Sequence, residues 1–273
     1  GRGLTERGSH MSDIHPTAIV SDDAQLGENV TVHPYTLIED STKIGAGCKI
    51  GPFAVVRRGT ILGENCEVHT GAVLGEPPQD LKYHGEDTYL IIGKNNLIRE
   101  FVTLHRATGE GEATEIGEGN LIMAYSHAGH NCKIGNHCLI SNDAGISGHV
   151  VIEDYVNIGG KVGIHQFVTI GTMAMIGGMS RITRDVPPYC LVEGNPAEPR
   201  GINVRGLQRH DVSEESIAAL RRAFRLIFRS DLNVSQALAK LEEEKETLVP
   251  EVQNLVDFLR RVGGGFRGRQ ANP

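Results

Sequence analysis

Residues 128–169 read, cut into sixes, A-G-H-N-C-K, I-G-N-H-C-L, I-S-N-D-A-G, I-S-G-H-V-V, I-E-D-Y-V-N, I-G-G-K-V-G and I-H-Q-F-V-T. An aliphatic residue opens every block but the first, which opens on Ala128, and a small or β-branched residue stands fifth. A period of six fits neither the 3.6-residue repeat of an amphipathic helix nor the two-residue alternation of a plain hairpin array. It fits a solenoid of short parallel strands joined by sharp turns. First-place aliphatics then face into a narrow prism, and fifth-place residues stay small because they point inward near a corner. Gly and Asn would supply the unusual backbone angles that corners need. Each coil buries its inner face only against the next, so many repeats are required.

Working outward, the same pattern starts at Ile14 and runs through Val20, Leu26, Val32, Ile38, Ile44, Ile50, Val56, Leu62, Val68 and Leu74, often with Gly second, as at Gly27, Gly45, Gly51 and Gly63. It breaks over residues 75–88, a polar segment containing Pro77-Pro78, and again over 109–115, then holds to Ile182. Both breaks read as excursion loops, and long loops on a rigid scaffold often carry function. After Pro187-Pro188 the composition turns helical. Asp211/Glu214 and Asn233/Gln236 have capping-box spacing, and Pro250 suits the first turn of a last helix that stops at Gly263. The expected organisation is therefore a β-solenoid over 14–189, a helical domain over 190–273 ending in a disordered Gly-rich tail, and an expression-tag remnant over 1–10.

Composition narrows the function. The net charge of −7 argues against a general nucleic-acid binder. Residues 200–273 hold 13 Lys+Arg against 10 Asp+Glu, while the preceding residues hold 14 against 24. Cys48, Cys66, Cys132 and Cys138 all fall at fifth places, which explains them as small buried fillers. No C-x-x-C occurs, so a structural zinc site is not expected. No apolar run approaches the roughly 18 residues of a membrane span and no secretory signal follows Met11, so a soluble, cytoplasmic protein is expected.

The repeat resembles that of the hexapeptide-repeat acyltransferases, whose coils hold three hexads; by that resemblance eighteen residues make the vertical step, and residues eighteen apart lie about 4.8 Å apart on neighbouring strands. Positions 130, 148 and 166 then stack. His130, His149 and His165 share one edge over three successive coils, with His127 closing the preceding hexad. A lone histidine on such a scaffold is an ordinary polar corner residue, but four gathered at one corner point to chemistry. Spacing alone leaves two readings open, a metal site or a general base.

Beyond the repeat, the chain resembles the hexapeptide-repeat acyltransferases, and among them the branch that acylates UDP-N-acetylglucosamine at the start of lipid A synthesis. The resemblance rests on Q-D-L-K-Y at 79–83, I-R-E at 98–100, H-R at 105–106, N-L-I-M at 120–123, H-A-G-H at 127–130 and G-N-H-C at 135–138. It continues through S-G-H-V at 147–150, H-Q-F at 165–167, D-V-P-P-Y at 185–189, G-N-P-A at 194–197 and the R-R-A-F-R-L-I-F-R-S helix. It implies a mainly β fold, a left-handed parallel β-helix with a C-terminal α-helical domain. It implies transfer of a 3-hydroxyacyl group from acyl carrier protein to the 3-OH of the sugar nucleotide, with no metal and no cofactor, in a homotrimer with sites between subunits.

By the resemblance His130 is the general base, a role that histidine as a residue type suits because its ordinary pKa, about 6.5, lies near neutral pH. The Gly148 N–H would stabilise the oxyanion, and Asn131, where the family commonly has Asp, would orient the imidazole. A neutral amide cannot stabilise imidazolium by charge, so the enzyme is expected to be slower than its Asn131→Asp variant. His105, His127, His149, His165, Gln166, Asp80 and Lys82 would line the substrate site. Asn203 and Arg209 would meet the uridine diphosphate, with Arg205 standing where the family often has Glu. Gly178 would admit a long acyl chain. Arg221, Arg222, Arg225 and Arg229 form a helical stripe that would dock the acidic carrier protein. The rival expectations are the related glucosamine N-acyltransferase, a coenzyme-A-dependent acetyltransferase, and a non-catalytic scaffold or metal protein resembling γ-class carbonic anhydrases.

Overall fold

A computed structural model describes residues 12–243 and 248–271; the expected tag remnant lies outside the described residues. From Asp13 to Ile182 the chain winds as a three-sided parallel β-helix, mostly two-residue strands joined by four-residue corners. Each face is one sheet, parallel throughout except for the last strand of sheet A. Sheet A holds eleven strands, sheet B nine and sheet C eight. The vertical step is eighteen residues, as in Ala128↔Ile146 and Ile146↔Ile164 on sheet B.

The first-place aliphatics fill the prism: Ile50, Val56, Leu74, Ile98, Ile158 and Ile176 are fully buried. Fifth-place residues are buried too, including Cys48, Ala54, Thr60, Cys66 and Ala72. The polar ones bond corner carbonyls, as in Thr36 Oγ1 to His33 O and Gly51 O, both 2.9 Å. Burial with a partner costs little, whereas an orphaned hydroxyl costs about 1–3 kcal/mol.

The division of labour at the corners differs from the sequence expectation. Positive φ falls on the fourth place, and there the residue is usually not glycine: Tyr125 (64°), Asn131 (57°), His137 (54°), Asp143 (60°), His149 (60°), Tyr155 (59°), Lys161 (57°) and Phe167 (65°). Each such non-Gly residue costs roughly 1 kcal/mol or more, offset by the packing of coil on coil. Second-place glycines serve close approach instead: a Cβ on Gly27 would lie 2.5 Å from Ala46 N, and one on Gly45 2.6 Å from Glu64 N.

Both excursions leave at the same corner, between sheets B and C. Pairing jumps from eighteen to thirty residues at Val73↔Thr103 and to twenty-four at Thr103↔His127, so the loops insert twelve and six residues. The second loop lies at 106–112 rather than 109–115, because Ala113–Ile116 already pairs with Tyr89–Ile92. His130 occupies this same corner, between His127–Ala128 on sheet B and Lys133–Ile134 on sheet C.

Sheet A does not stop at 189. Cys190–Gly194 pairs parallel with Met175–Ile176 and antiparallel with Ala197–Ile202, closing the open end of the prism with a hairpin. Four helices follow: α1 (Val204–Arg209), α2 (Glu214–Arg229), α3 (Val234–Glu242) and α4 (Pro250–Gly263). The N-cap of α2 is Ser213, whose Oγ accepts from Ser216 N–H, rather than Asp211, which has positive φ. α3 carries the Asn233/Gln236 capping box and α4 starts on Pro250. Ile217, Leu220, Ala223 and Ile227 of α2 pack with Val252, Leu255, Val256 and Leu259 of α4 in a second apolar core. Residues 264–271 do not trail away but fold back on the last coil (Asp185 N to Gly268 O, 2.8 Å). No helix among the described residues is long and apolar enough to cross a membrane.

Candidate active site

The histidine cluster surrounds a concavity of about 660 Å³ on the B–C corner and the outer face of sheet B. His105, His127, His130, His165, Gln166, Gly148 and Gln79 line it. The strand geometry explains the gathering. Side chains alternate across a sheet, so with Ala128 inside, His127 must face out beside the corner where His130 sits.

His130 is the most engaged residue. Its Nδ1 lies 2.9 Å from Asn131 Oδ1. Asn131 in turn grips the second excursion loop: its Oδ1 accepts from Thr108 N–H (3.0 Å) and its Nδ2 donates to Thr108 O (3.1 Å). That double contact fixes which end of the amide faces the imidazole, so Nδ1 donates and Nε2 is left as the acceptor. Nε2 lies against Gly148, where a Cβ would come within 2.5 Å of it. Among the described residues nothing accepts a hydrogen bond from the Gly148 N–H. Asp80 Oδ2 stands 3.9 Å from Nε2. The Lys82 backbone N–H, donated to Asp80 Oδ1 at 3.0 Å, holds that carboxyl below the usual range, helped by His130. The Lys82 side chain itself is exposed.

Arg106 secures the first loop from beneath. It is buried, donates to Gly75 O (2.9 Å) and to the Tyr83 hydroxyl (2.8 Å), and lies over the Tyr83 ring. Three other imidazoles, His105, His127 and His149, are packed and desolvated, while His165 is exposed. His105 meets His127 edge to face at 4.8 Å, and burial together with His127 pushes His105 down to about 4. Its Nδ1 has no hydrogen-bond partner among the described residues. His127 Nδ1 pairs with Thr103 Oγ1 at 2.8 Å, and burial lowers its pKa. His149 stacks on Phe167 at 4.6 Å and meets His130 edge to face at 5.1 Å; burial, then His130, lowers it. Burial pushes the Cys132 and Cys138 thiols up to about 12, so neither is a ready nucleophile. No cluster of metal-ligating side chains occurs among the described residues.

One feature escaped sequence reading. His127, Gly145, Gly163 and Arg181 stand in one column on the outer face of sheet B. A Cβ on either glycine would meet nothing within 4 Å, and neither has positive φ. Glycine in a strand weakens it, and where fold does not demand it, close approach by a ligand or another chain does. The clue in the sequence was Gly at the sixth place of two successive coils, where Asn157, Thr169 and Lys133 show that side chains are otherwise accepted.

Other predicted residues lie elsewhere in the chain. Asn203 is the N-cap of α1, accepting from Gly206 N–H (3.1 Å) and donating to Met173 O (2.8 Å). With Arg205, Arg209, His137 and Tyr155 it lines a separate concavity of about 670 Å³ at the C–A corner. One chain therefore does not bring Asn203 or Arg209 to His130. Gly178 lies at the A–B corner. Positive φ there belongs to Met179, and a Cβ on Gly178 would touch Gly160 O at 3.3 Å, so the turn itself does not require this glycine. Arg221, Arg222 and Arg225 are exposed along α2; Arg229 is partly committed, donating to Pro199 O (3.0 Å) over the Phe224 ring.

Fold and site together define an acyltransferase of the hexapeptide-repeat class. A family model for bacterial transferase hexapeptides matches residues 41–76 and 113–148, and one described as UDP-N-acetylglucosamine O-acyltransferase, domain 2, matches 185–268. The acyl-[acyl-carrier-protein]–UDP-N-acetylglucosamine O-acyltransferase of Sulfurovum sp. is 48% identical over 257 residues, 94% of this chain and 98% of that protein; that of Gloeothece citriformis is 49% identical over 191 residues, 70% of this chain and 68% of that one. The solved structure of LpxA from Acinetobacter baumannii is 44% identical with TM-score 0.86, covering 91% of this chain and 96% of that one; that of the UDP-N-acetylglucosamine acyltransferase from Bacteroides fragilis is 38% identical with TM-score 0.87, covering 90% and 96%. The chain belongs to the acyl-[acyl-carrier-protein]–UDP-N-acetylglucosamine O-acyltransferases, and its fold is their left-handed parallel β-helix.

Proposed function

We propose that the protein transfers a 3-hydroxyacyl group from acyl carrier protein to the 3-OH of UDP-N-acetylglucosamine, the first step of lipid A synthesis, with His130 as general base. The observation that carries the mechanism is the 2.9 Å contact between His130 Nδ1 and Asn131 Oδ1, which leaves Nε2 unprotonated beside Gly148. Nε2 takes the proton of the sugar hydroxyl as its oxygen bonds to the thioester carbon. The resulting oxyanion is met by the free Gly148 N–H. Collapse breaks the C–S bond, and the departing thiolate of the carrier's arm receives the proton back from His130. General-base assistance contributes roughly 10²–10⁴-fold, and one oxyanion donor about 10²–10³-fold. Asp80, beside Nε2, positions the attacking hydroxyl. The column of Gly145 and Gly163 gives the substrate a flat bed between His127 and Arg181.

The reading includes a cyclic homotrimer. Asn203 and Arg209 lie on a different edge of the prism from His130, and a neighbouring subunit's copy would complete the site. Arg221, Arg222 and Arg225 offer the carrier protein a cationic dock that weakens as salt rises. The deciding experiment incubates the protein with UDP-N-acetylglucosamine and 3-hydroxyacyl carrier proteins of several lengths, alongside the 3-amino sugar analogue and acetyl-coenzyme A. Product should form only with the carrier-protein thioester and be lost in His130→Ala. Turnover with acetyl-coenzyme A alone, or an active His130→Ala protein, refutes the reading.

A further inference from the structure

The segment after α4 is a built structure. Phe266 and Arg269 exchange both backbone hydrogen bonds (Phe266 N to Arg269 O 2.8 Å, Arg269 N to Phe266 O 3.1 Å). The two residues between them have positive φ, Arg267 at 51° and Gly268 at 75°. That is a tight turn of the I′ kind. Gly265 is required beneath it, because a Cβ there would lie 2.0 Å from Arg269 O. Asp185 grips the turn from both sides: its N–H donates to Gly268 O, and its Oδ2 accepts from Gln270 N–H, each at 2.8 Å. Its Oδ1 is tied to Thr169 N–H at 2.8 Å, so the grip is anchored in sheet C. The anchored turn sends Arg269, only 8% exposed, to the active-site wall. There Arg269 Nη1 lies 3.0 Å from His165 Nδ1 and 2.9 Å from Gln166 O.

We propose that Arg269 is a positioning residue that selects the tautomer of His165, holding its proton on Nε2 so that the imidazole presents a donor to an oxygen of the bound sugar nucleotide. A guanidinium donates and never accepts, so the ring nitrogen facing it must be the acceptor. The two hydrogens of Nη1 serve His165 Nδ1 and Gln166 O together. Without Arg269 the choice reverses. His165 Nδ1 also lies 3.0 Å from Gln166 O, and a carbonyl can only accept. Nδ1 would then take the proton, and the ring would offer the substrate an acceptor. This inference rests on the acyl-transfer reading for the identity of the ligand, but not for the tautomer.

The test reads the tautomer directly. In the full-length protein with ¹⁵N-labelled histidine, His165 is assigned by its loss in His165→Gln. The wild type should show a protonated Nε2 and bare Nδ1, and Arg269→Met should move the proton to Nδ1. KM for UDP-N-acetylglucosamine should rise roughly 2- to 10-fold in Arg269→Met, the size of one net hydrogen bond, with kcat changed less and Arg269→Lys intermediate. A wild-type His165 protonated on Nδ1 overturns the proposal, and that measurement needs neither a folded Arg269 variant nor turnover. So does an Arg269→Met protein that is less stable yet keeps both tautomer and KM, since Arg269 is then a strut only. A protein with the expected tautomers but no acyl transfer fails the functional reading and leaves the tautomer assignment standing.

Discussion

His130 Nδ1 lies 2.9 Å from Asn131 Oδ1, and the same Asn131 amide closes on both the N–H and the carbonyl of Thr108. The imidazole and the second excursion loop are thus held by one side chain. Asn131→Asp changes both contacts at once. It places a charge beside the imidazolium, which should raise kcat/KM. It also sets an acceptor against Thr108 O in place of the Nδ2 donor, 3.1 Å away. We expect a loss of about 1–3 kcal/mol in stability, read from denaturant unfolding beside the kinetics. An Asp variant as stable as wild type would mean the Thr108 clasp contributes nothing; unchanged kcat/KM and pH profile would mean the orienting role is wrong.

Gly148→Ala should be folded but nearly inactive. The position does not have positive φ, so alanine adopts its backbone without strain. Its Cβ would instead meet His130 Nε2 at 2.5 Å and Cε1 at 2.7 Å and drive the ring off its place. We expect kcat to fall about 10²–10³-fold, the scale of a lost base or oxyanion contact, with little change in the thermal midpoint.

Gly145→Val and Gly163→Val probe the bed beside His127. A Cβ at either position meets nothing within 4 Å, and valine suits a strand. The variants should unfold no earlier than wild type yet lose most turnover through a raised KM. Wild-type kinetics in both would show that substrate does not lie along this column.

Gly178→Met tests chain-length selection. A methionine would extend from the A–B corner above Gly160, and the preference among 3-hydroxyacyl carrier proteins should shift to shorter chains. Competition between donors of different length measures it, and an unchanged preference for long chains removes Gly178 from that role.

The buried imidazoles predict how stability follows pH. His105 is held at about 4 against an ordinary value of 6.5. Between those values the unfolded chain binds the proton and the folded chain does not. Stability is therefore full above about pH 6.5 and falls as pH drops toward 4, by an amount on the order of 3 kcal/mol from this group. His127 and His149, also lowered by burial, add in the same direction. Denaturant unfolding at fixed protein concentration, compared between wild type and His105→Phe, should show a shallower acid slope in the variant.

Much of this could be read before any coordinates. The six-residue period located the inward residues, because a coil closed by three hexads repeats its environment every eighteen positions. The eighteen-residue count stacks positions 130, 148 and 166, and the strands beside them pair in that register, Ala128 with Ile146 and Ile146 with Ile164. Caps were legible where the spacing was unique, as at Asn233 and Gln236, and misread at Asp211, where Ser213 two residues on made the better cap. The tail was misread because Gly-rich composition describes both disorder and a tight turn, and only the grip of Asp185 distinguishes them.

By itself the sequence determined the prism, its core and the corner where the histidines gather, since these follow from periodicity, and periodicity is local. The tertiary structure decided what each histidine faces. Asp80 reaches His130 across a twelve-residue insertion, Thr108 fixes the Asn131 amide, and Arg269 arrives at His165 from more than a hundred residues away. No spacing rule encodes contacts between a loop, a tail and a coil, because they depend on where the chain returns rather than on how it repeats. For the same reason Asn203 and Arg209, which motif likeness joined to His130, stand on another edge of the prism.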